Sequence, residues 1–207
     1  MGAARAGGTV DPRVERSRQV ILQAALDELG GVGYGAFTIE SVAARAGVAK
    51  STVYRHWPGR LALIADAFET FHEQMVPGID SGSLRERVER LVRHVAEVVV
   101  DSTFTVCIPA LIEGAARDPL VREFHHRYAA ERRHALVDLL AQGVAAGDFP
   151  AHLDPELAAL ALLGPIFYRR LMTSEPFDPE RASELVDTVL GAPQVPAADD
   201  QAVPLPP

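Results

Sequence analysis

The chain has 207 residues, a formal net charge of −8 and an apolar content of 48%. That length is enough to bury a core, the single cysteine, Cys107, excludes an intrachain disulfide, and no apolar run is long enough to cross a bilayer. With no apolar stretch behind the first positive charges, we expect no secretory leader and a cytoplasmic location.

The charge is unevenly spread. Residues 1–75 hold eight basic and eight acidic side chains, so all the net acidity lies in 76–207. Within 38–60, Arg45, Lys50, Arg55 and Arg60 face only Glu40. Such a segment can meet phosphate on an acidic protein, because repulsion is screened beyond about 10 Å at physiological salt.

Residues 1–10, rich in Gly and Ala, read as a flexible arm, and 192–207, rich in Pro, Ala and Asp, as a disordered tail. Between them the apolar spacing is helical throughout and no stretch alternates like a strand, which predicts an all-α chain of about nine helices. The first runs from about 12 to 31, with Leu22, Ala25, Leu26 and Leu29 on one face. Two short helices cover 39–46 and 50–57, and a fourth starts near Gly59 and uses Ile64, Phe68, Phe71 and Met75. Pro77-Gly78 and Ser81-Gly82 mark a domain boundary. The later helices are 84–100 (Leu84, Val88, Leu91, Val95), one within 103–116, 119–146 (Val121, Phe124, Tyr128, Leu136, Leu140), 155–173 (Leu157, Leu160, Ala161, Gly164, Phe167, Leu171) and 179–190. Asp11-Pro12, Asp118-Pro119, Asp154-Pro155 and Asp178-Pro179 each read as an N-cap with proline in the first turn, and Ser83 with Glu86 as a capping box. Gly33, Gly147 and Gly191 sit where helices should stop.

The segment TIESVAARAGVAKSTVYRHW, residues 38–57, carries the clearest chemistry. Thr38 can cap a helix whose apolar face is Ile39, Val42, Ala43 and Ala46. Gly47 supplies a left-handed turn, and Val48 fills the angle between two helices. The next helix buries Val53 and Trp57 and leaves Lys50, Ser51, Thr52, Tyr54, Arg55 and His56 as a hydrogen-bonding face. This is a helix-turn-helix layout, whose second helix enters the major groove. Lys50 and Ser51, at the start of that helix, suit base edges, while Thr38, Thr52, Tyr54, His56 and Arg60 suit phosphate. Arg55 and Arg45 could serve either role, and for Arg45 an ordinary surface position is an equal alternative. Lys50 is the only lysine among 20 basic residues, which suggests a local need for a compact charge.

The ordered set Thr38, Val42-Ala43, Ala46-Gly47-Val48, Lys50, Thr52-Val53-Tyr54, His56-Trp57 and Arg60, preceded by Gly33-Tyr34, resembles the TetR family of regulators over about residues 15–75. Ala49 and Gly59 stand where the family often has Ser, and Arg60 where it often has Lys. The resemblance implies a three-helix DNA-binding head at 11–76, a regulatory and dimerisation domain at 83–191, and a four-helix dimer interface formed by 155–173 and 179–190 with their mates. It also implies repression of double-stranded operator DNA, released by a small molecule. An activator, a ligand-independent DNA-binding protein, and a small-molecule-binding protein whose head no longer binds DNA are the alternatives.

Aromatic and sulfur side chains at core spacing after residue 83 suggest an apolar ligand cavity: Phe104, Cys107, Phe124, Tyr128, Phe167 and Tyr168, with His94, Thr103 and Thr105 as polar groups nearby. A solid core is the alternative. Gly164-Pro165 should bend its helix, either as a packing accommodation or as a cavity wall. No two of the seven histidines stand three or four residues apart, so no metal site is expected, and no cofactor. No nucleophile elbow or phosphate loop appears, so an enzyme has no positive support.

Overall fold

The computed structural model describes residues 12–75, 81–101 and 103–192. The expected arm, the Asp11 cap, the Pro77-Gly78 boundary and the tail from 193 onward lie outside those residues, as do the side chains of Met75, Thr103 and Phe104. Nine α-helices and no strand are found among the described residues: α1 Pro12–Ala36, α2 Ile39–Ala46, α3 Lys50–His56, α4 Arg60–Met75, α5 Leu84–Asp101, α6 Thr103–Arg117, α7 Pro119–Ala146, α8 Pro155–Met172 and α9 Ala182–Leu190, the last entered through a 3₁₀ turn, Pro179–Arg181.

Local chemistry sets the boundaries. The carboxylates of Asp118, Asp154 and Asp178 accept from the amides of Leu120, of Glu156 and Leu157, and of Glu180, with Pro in the first turn each time. Ser83 and Glu86 exchange backbone amides as a capping box. α1 is interrupted at Gly33, whose φ of 75° and ψ of 167° leave the helical region, so that 34–36 form a separate last turn. α3 stops one residue before its expected end because Pro58 holds Trp57 in an extended conformation.

The helices bury two clusters. The first gathers Leu22, Leu29, Val42, Val53, Trp57, Leu63 and Phe68 from α1–α4, and continues into α6 and α7 through Cys107, Leu111, Val121, Phe124 and Tyr128. The second joins α5, α7, α8 and α9 through Val88, Val92, Leu136, Leu140, Leu162, Ile166 and Val186. The most extensive interhelical contact is α1 against α6, which ties the N-terminal helices to the rest. Two glycines allow that approach. A Cβ on Gly114 would lie 2.7 Å from the Tyr34 ring, and one on Gly30 would lie 2.5 Å from Val106 Cγ2.

α8 departs from the sequence reading. Its buried residues are Ala158, Ala159, Leu162 and Ile166. Of the residues expected to form its apolar face, Leu157 is 65% exposed and Leu160 53%, while Ala161, Gly164 and Leu171 also face outward. With Tyr168 (64%) and Met172 (72%) they make a continuous apolar stripe at helical spacing. The helix is apolar around most of its girth, so periodicity could not choose between its faces. It also runs as one helix through Gly164-Pro165.

Candidate functional site

Thr38 caps α2 by accepting from the Ser41 amide at 3.0 Å, and Gly47 closes the helix at φ 67°, a backbone conformation that side chains disfavour. Val42 and Val53, both fully buried, hold α2 and α3 together. The Trp57 indole donates to Asp66 Oδ2 at 2.8 Å, and the same carboxylate accepts from Arg18, so α1, α4 and the end of α3 share one polar clamp. These contacts fix the orientation of α3 and turn one side outward. Lys50, Ser51, Tyr54, Arg55 and His56 are exposed on it and Thr52 is half-buried. Among the described residues, no carboxylate pairs with Lys50 or Arg55. His56 stands beside Trp57, ring centroids 5.4 Å apart.

Two expected DNA ligands are differently engaged. Arg45 donates through Nε and Nη2 to Glu28 Oε2 at 3.0 and 2.8 Å. Glu28 is only 7% exposed, and the Arg45 and Ser41 hydrogen bonds hold its carboxyl below the usual range. The guanidinium of Arg45 therefore secures α2 against α1, a partner 17 residues away that spacing alone could not reveal. Arg60, half-buried at the start of α4, lies over the Tyr34 ring at 4.2 Å and reaches the Tyr34 carbonyl at 3.4 Å. The Tyr34 hydroxyl donates to Asp118 Oδ2 at 3.2 Å, which brings the N-cap of α7 into the same cluster.

A cavity of about 380 Å³ opens between α4, α5, α6, α7 and α8. Of the expected ligand residues, His94, Tyr128 and Phe167 line it. Phe124 lies behind the wall, its ring centroid 6.1 Å from Phe68 and 5.8 Å from Tyr128. Cys107 is not at the cavity: it packs between α6 and α1, donates to the Leu26 carbonyl, and burial pushes its thiol up to about 12. Tyr168 points outward from α8. Thr105 is buried and donates to the Val98 and Val99 carbonyls at the α5–α6 corner. Sequence reasoning missed His72, His125 and Arg132, which line the cavity with Phe68, Phe71 and Leu136. Residues 125, 128, 132 and 136 stand about one turn apart on α7, so the stripe is visible as a spacing, but the sequence reading of this helix rested on its apolar residues alone. Arg132 lies over Tyr128 at 4.6 Å and ion-pairs with Glu69 of α4. Burial, reinforced by the Arg132 charge, pushes His72 down, and burial with neighbouring His126 does the same to His125. The arrangement is an apolar chamber with the imidazoles of His72, His94 and His125, the guanidiniums of Arg132 and Arg133 and the Glu131 carboxylate at its wall.

Comparison with known proteins agrees with this geometry. Residues 21–67 match the family described as "Bacterial regulatory proteins, tetR family". Residues 79–189 match "Tetracyclin repressor-like, C-terminal domain". The HTH-type transcriptional regulator YdeS of Bacillus subtilis (strain 168) is 31% identical over 175 residues, 84% of this chain and 88% of that protein. Among solved structures, Bacillus subtilis FadR in complex with stearoyl-CoA has a TM-score of 0.69 at 19% identity, covering 84% of this chain and 98% of that one. Salmonella enterica GusR has a TM-score of 0.70 at 19% identity, covering 88% and 98%. At those identities the two structures speak for the fold.

Proposed function

The chain belongs to the TetR family of helix-turn-helix transcriptional regulators, and from that premise we propose that it is a homodimeric repressor released from a palindromic operator by a small, largely apolar ligand. The observation that carries the reading is the continuity of α4. Its first residue, Arg60, follows closely on the end of α3 and lies over the Tyr34 ring, and its residues Phe68, Phe71 and His72 line the cavity. One continuous helix therefore runs from just after the helix-turn-helix to the chamber. A ligand that favours one position of α4 shifts the spacing of the two heads by as much as its affinity differs between positions.

In this reading Lys50 and Ser51 contact base edges, while Thr38, Thr52, Tyr54, Arg55, His56 and Arg60 hold phosphate. Arg45 acts through Glu28 as a structural residue. The head is 11–76 and the regulatory part 83–191, although the first core runs across that boundary. The apolar stripe of α8 supplies the face for a second copy, with α9 beside it. A two-fold protein then requires a two-fold site. The cavity has the features of a small-molecule site, apolar walls with a few convergent polar groups, and the FadR neighbour is in complex with stearoyl-CoA. Selecting bound duplexes from a random pool and footprinting the winners tests the reading. The expected outcome is a palindrome protected symmetrically, and a single asymmetric half-site bound at full affinity would overturn it.

A further inference from the structure

From the polar groups of the cavity we infer that its ligand is a compact organic acid, an apolar body whose carboxylate seats between His72, His94 and Arg132. This rests on the cavity being the effector site.

Three helices deliver those groups to the cavity wall, His72 from α4, His94 from α5 and Arg132 from α7, and both His94 and Arg132 act electrostatically on His72. Most of the remaining lining is hydrocarbon, including Leu91, Val95, Leu111, Leu136 and Phe167. The Nε–H of Arg132 is buried and meets no acceptor among the described residues. That Nε is itself sealed from the chamber, so a ligand oxygen meets Arg132 through the part of the side chain that stays accessible, 27% of it, beside the Glu69 pair. A carboxylate gains most, because a hydrogen bond between ions is about twice as strong as a neutral one. Arg132 also disfavours a cationic ligand.

The surrounding charges complete the case. Glu69 engages Arg132 from α4, Glu97 stands 4.0 Å from His94 Nδ1 on α5, and Arg133 is tied to Glu156 of α8 at 3.0 Å. Glu131 is the remaining charged residue of the lining. Arg132 is thus the cation directed at His72, and burial together with its charge pushes that imidazole down. An arriving carboxylate reverses this local field, so His72 takes up one proton as the acid binds, and the carboxylate then meets two cations. The volume, about 380 Å³, lies near the lower end of the roughly 300–1,000 Å³ usual for ligand pockets, which calls for a compact body.

Calorimetric titration of the full chain with straight-chain monocarboxylates from octanoate to tetradecanoate, each beside the alcohol of the same length, tests the inference. At least one acid should bind at least ~10-fold more tightly than its alcohol. Its heat should vary with the buffer's ionisation enthalpy in the sense of proton uptake. Arg132→Gln and His72→Gln, checked for folding by circular dichroism, should bring acid and alcohol close to parity, and His72→Gln should abolish the proton uptake. Should neither variant fold, His94→Gln replaces them and should reduce the preference. Absence of binding by every acid, alcohols binding as well as acids, or a preference that survives all the folded variants would overturn it. An acid that binds with proton uptake yet leaves selected operator DNA bound supports the ligand class and defeats the effector reading. Release of DNA by the alcohols rather than the acids does the reverse.

Discussion

The hydroxyl of Tyr34, at the end of α1, donates to Asp118 Oδ2, at the start of α7, over 3.2 Å. The ring between them carries the Arg60 guanidinium on its face and has Gly114 of α6 against its edge. One side chain therefore touches α4, α6 and the N-cap of α7, and both α4 and α7 line the cavity. Burial pushes the phenol up, so it stays a neutral donor across the physiological range.

Two substitutions separate its roles. Tyr34→Phe removes the bond to Asp118 but keeps the platform for Arg60. It should cost about 0.5–1.5 kcal/mol in urea unfolding and leave DNA affinity nearly unchanged. Gly114→Ala places a methyl 2.7 Å from the ring and must displace it. That should cost about 1–3 kcal/mol by overpacking and also weaken DNA binding, because Arg60 loses its support. Equal DNA affinities for Gly114→Ala and the parent chain would show that Arg60 does not need the ring.

Arg45 and Lys50 should fail in different ways. Arg45→Ala leaves Glu28 buried without its strongest donor, and should cost about 1–3 kcal/mol of stability while sequence discrimination is kept. Glu28 has its folded pKa below the ordinary 4.5. Its pair with Arg45 therefore contributes fully above that value, and the contribution is lost as pH falls towards the depressed folded pKa. Unfolding measured at pH about 7 and again from about 5 to 3 should show the parent losing this increment and Arg45→Ala losing less, because only the Ser41 hydrogen bond remains to Glu28. Lys50→Ala should leave stability unchanged and cost about 1–3 kcal/mol of specific binding, with a smaller effect on random DNA. Equal losses on both DNAs would make Lys50 a phosphate contact.

The ends of the helices and the buried face of α2 were legible in the sequence because caps, glycine turns and short-range spacing are local. The Asp-Pro pairs at 118, 154 and 178 and the left-handed Gly47 need only neighbours within a turn. Partners across helices were not legible. Nothing in the spacing tells Arg45 that Glu28 lies beneath it, or His72 that it faces His94 and Arg132. Cys107 and Tyr168 failed as cavity residues for a related reason. α6 packs on α1 as well as on the cavity, and α8 has two apolar faces, so an apolar side chain on either helix has more than one place to go.

The exposed stripe of α8 predicts a self-associating surface. Leu157→Glu with Leu160→Glu puts two charges where a partner's apolar face should pack, but changes nothing the monomer buries. The double variant should sediment as a monomer at micromolar concentration, where the parent sediments as a dimer, with an unchanged helical circular dichroism spectrum. Operator affinity should fall steeply with it, because each head alone holds half a site. A parent chain that sediments as a monomer would remove the two-fold site from the proposal.

Reciprocity is the sharpest test of release by ligand. If an effector weakens operator binding by some factor, saturating operator must weaken the effector by the same factor, because both report one coupling free energy. Coupling of this kind is typically about 1–3 kcal/mol, or roughly 5–150-fold. The structure offers α4 as the shared element, with Arg60 at one end and the cavity-lining Phe71 and His72 towards the other. Phe71→Ala should therefore alter ligand affinity and the coupling while leaving DNA affinity in the absence of ligand close to that of the parent. Calorimetric titration of the effector with and without saturating operator gives the factor directly, and a DNA titration with and without saturating effector gives it a second time. The two factors should agree within error. Equal effector affinities in the presence and absence of operator would mean that the cavity's ligand does not act as an inducer, however tightly it binds.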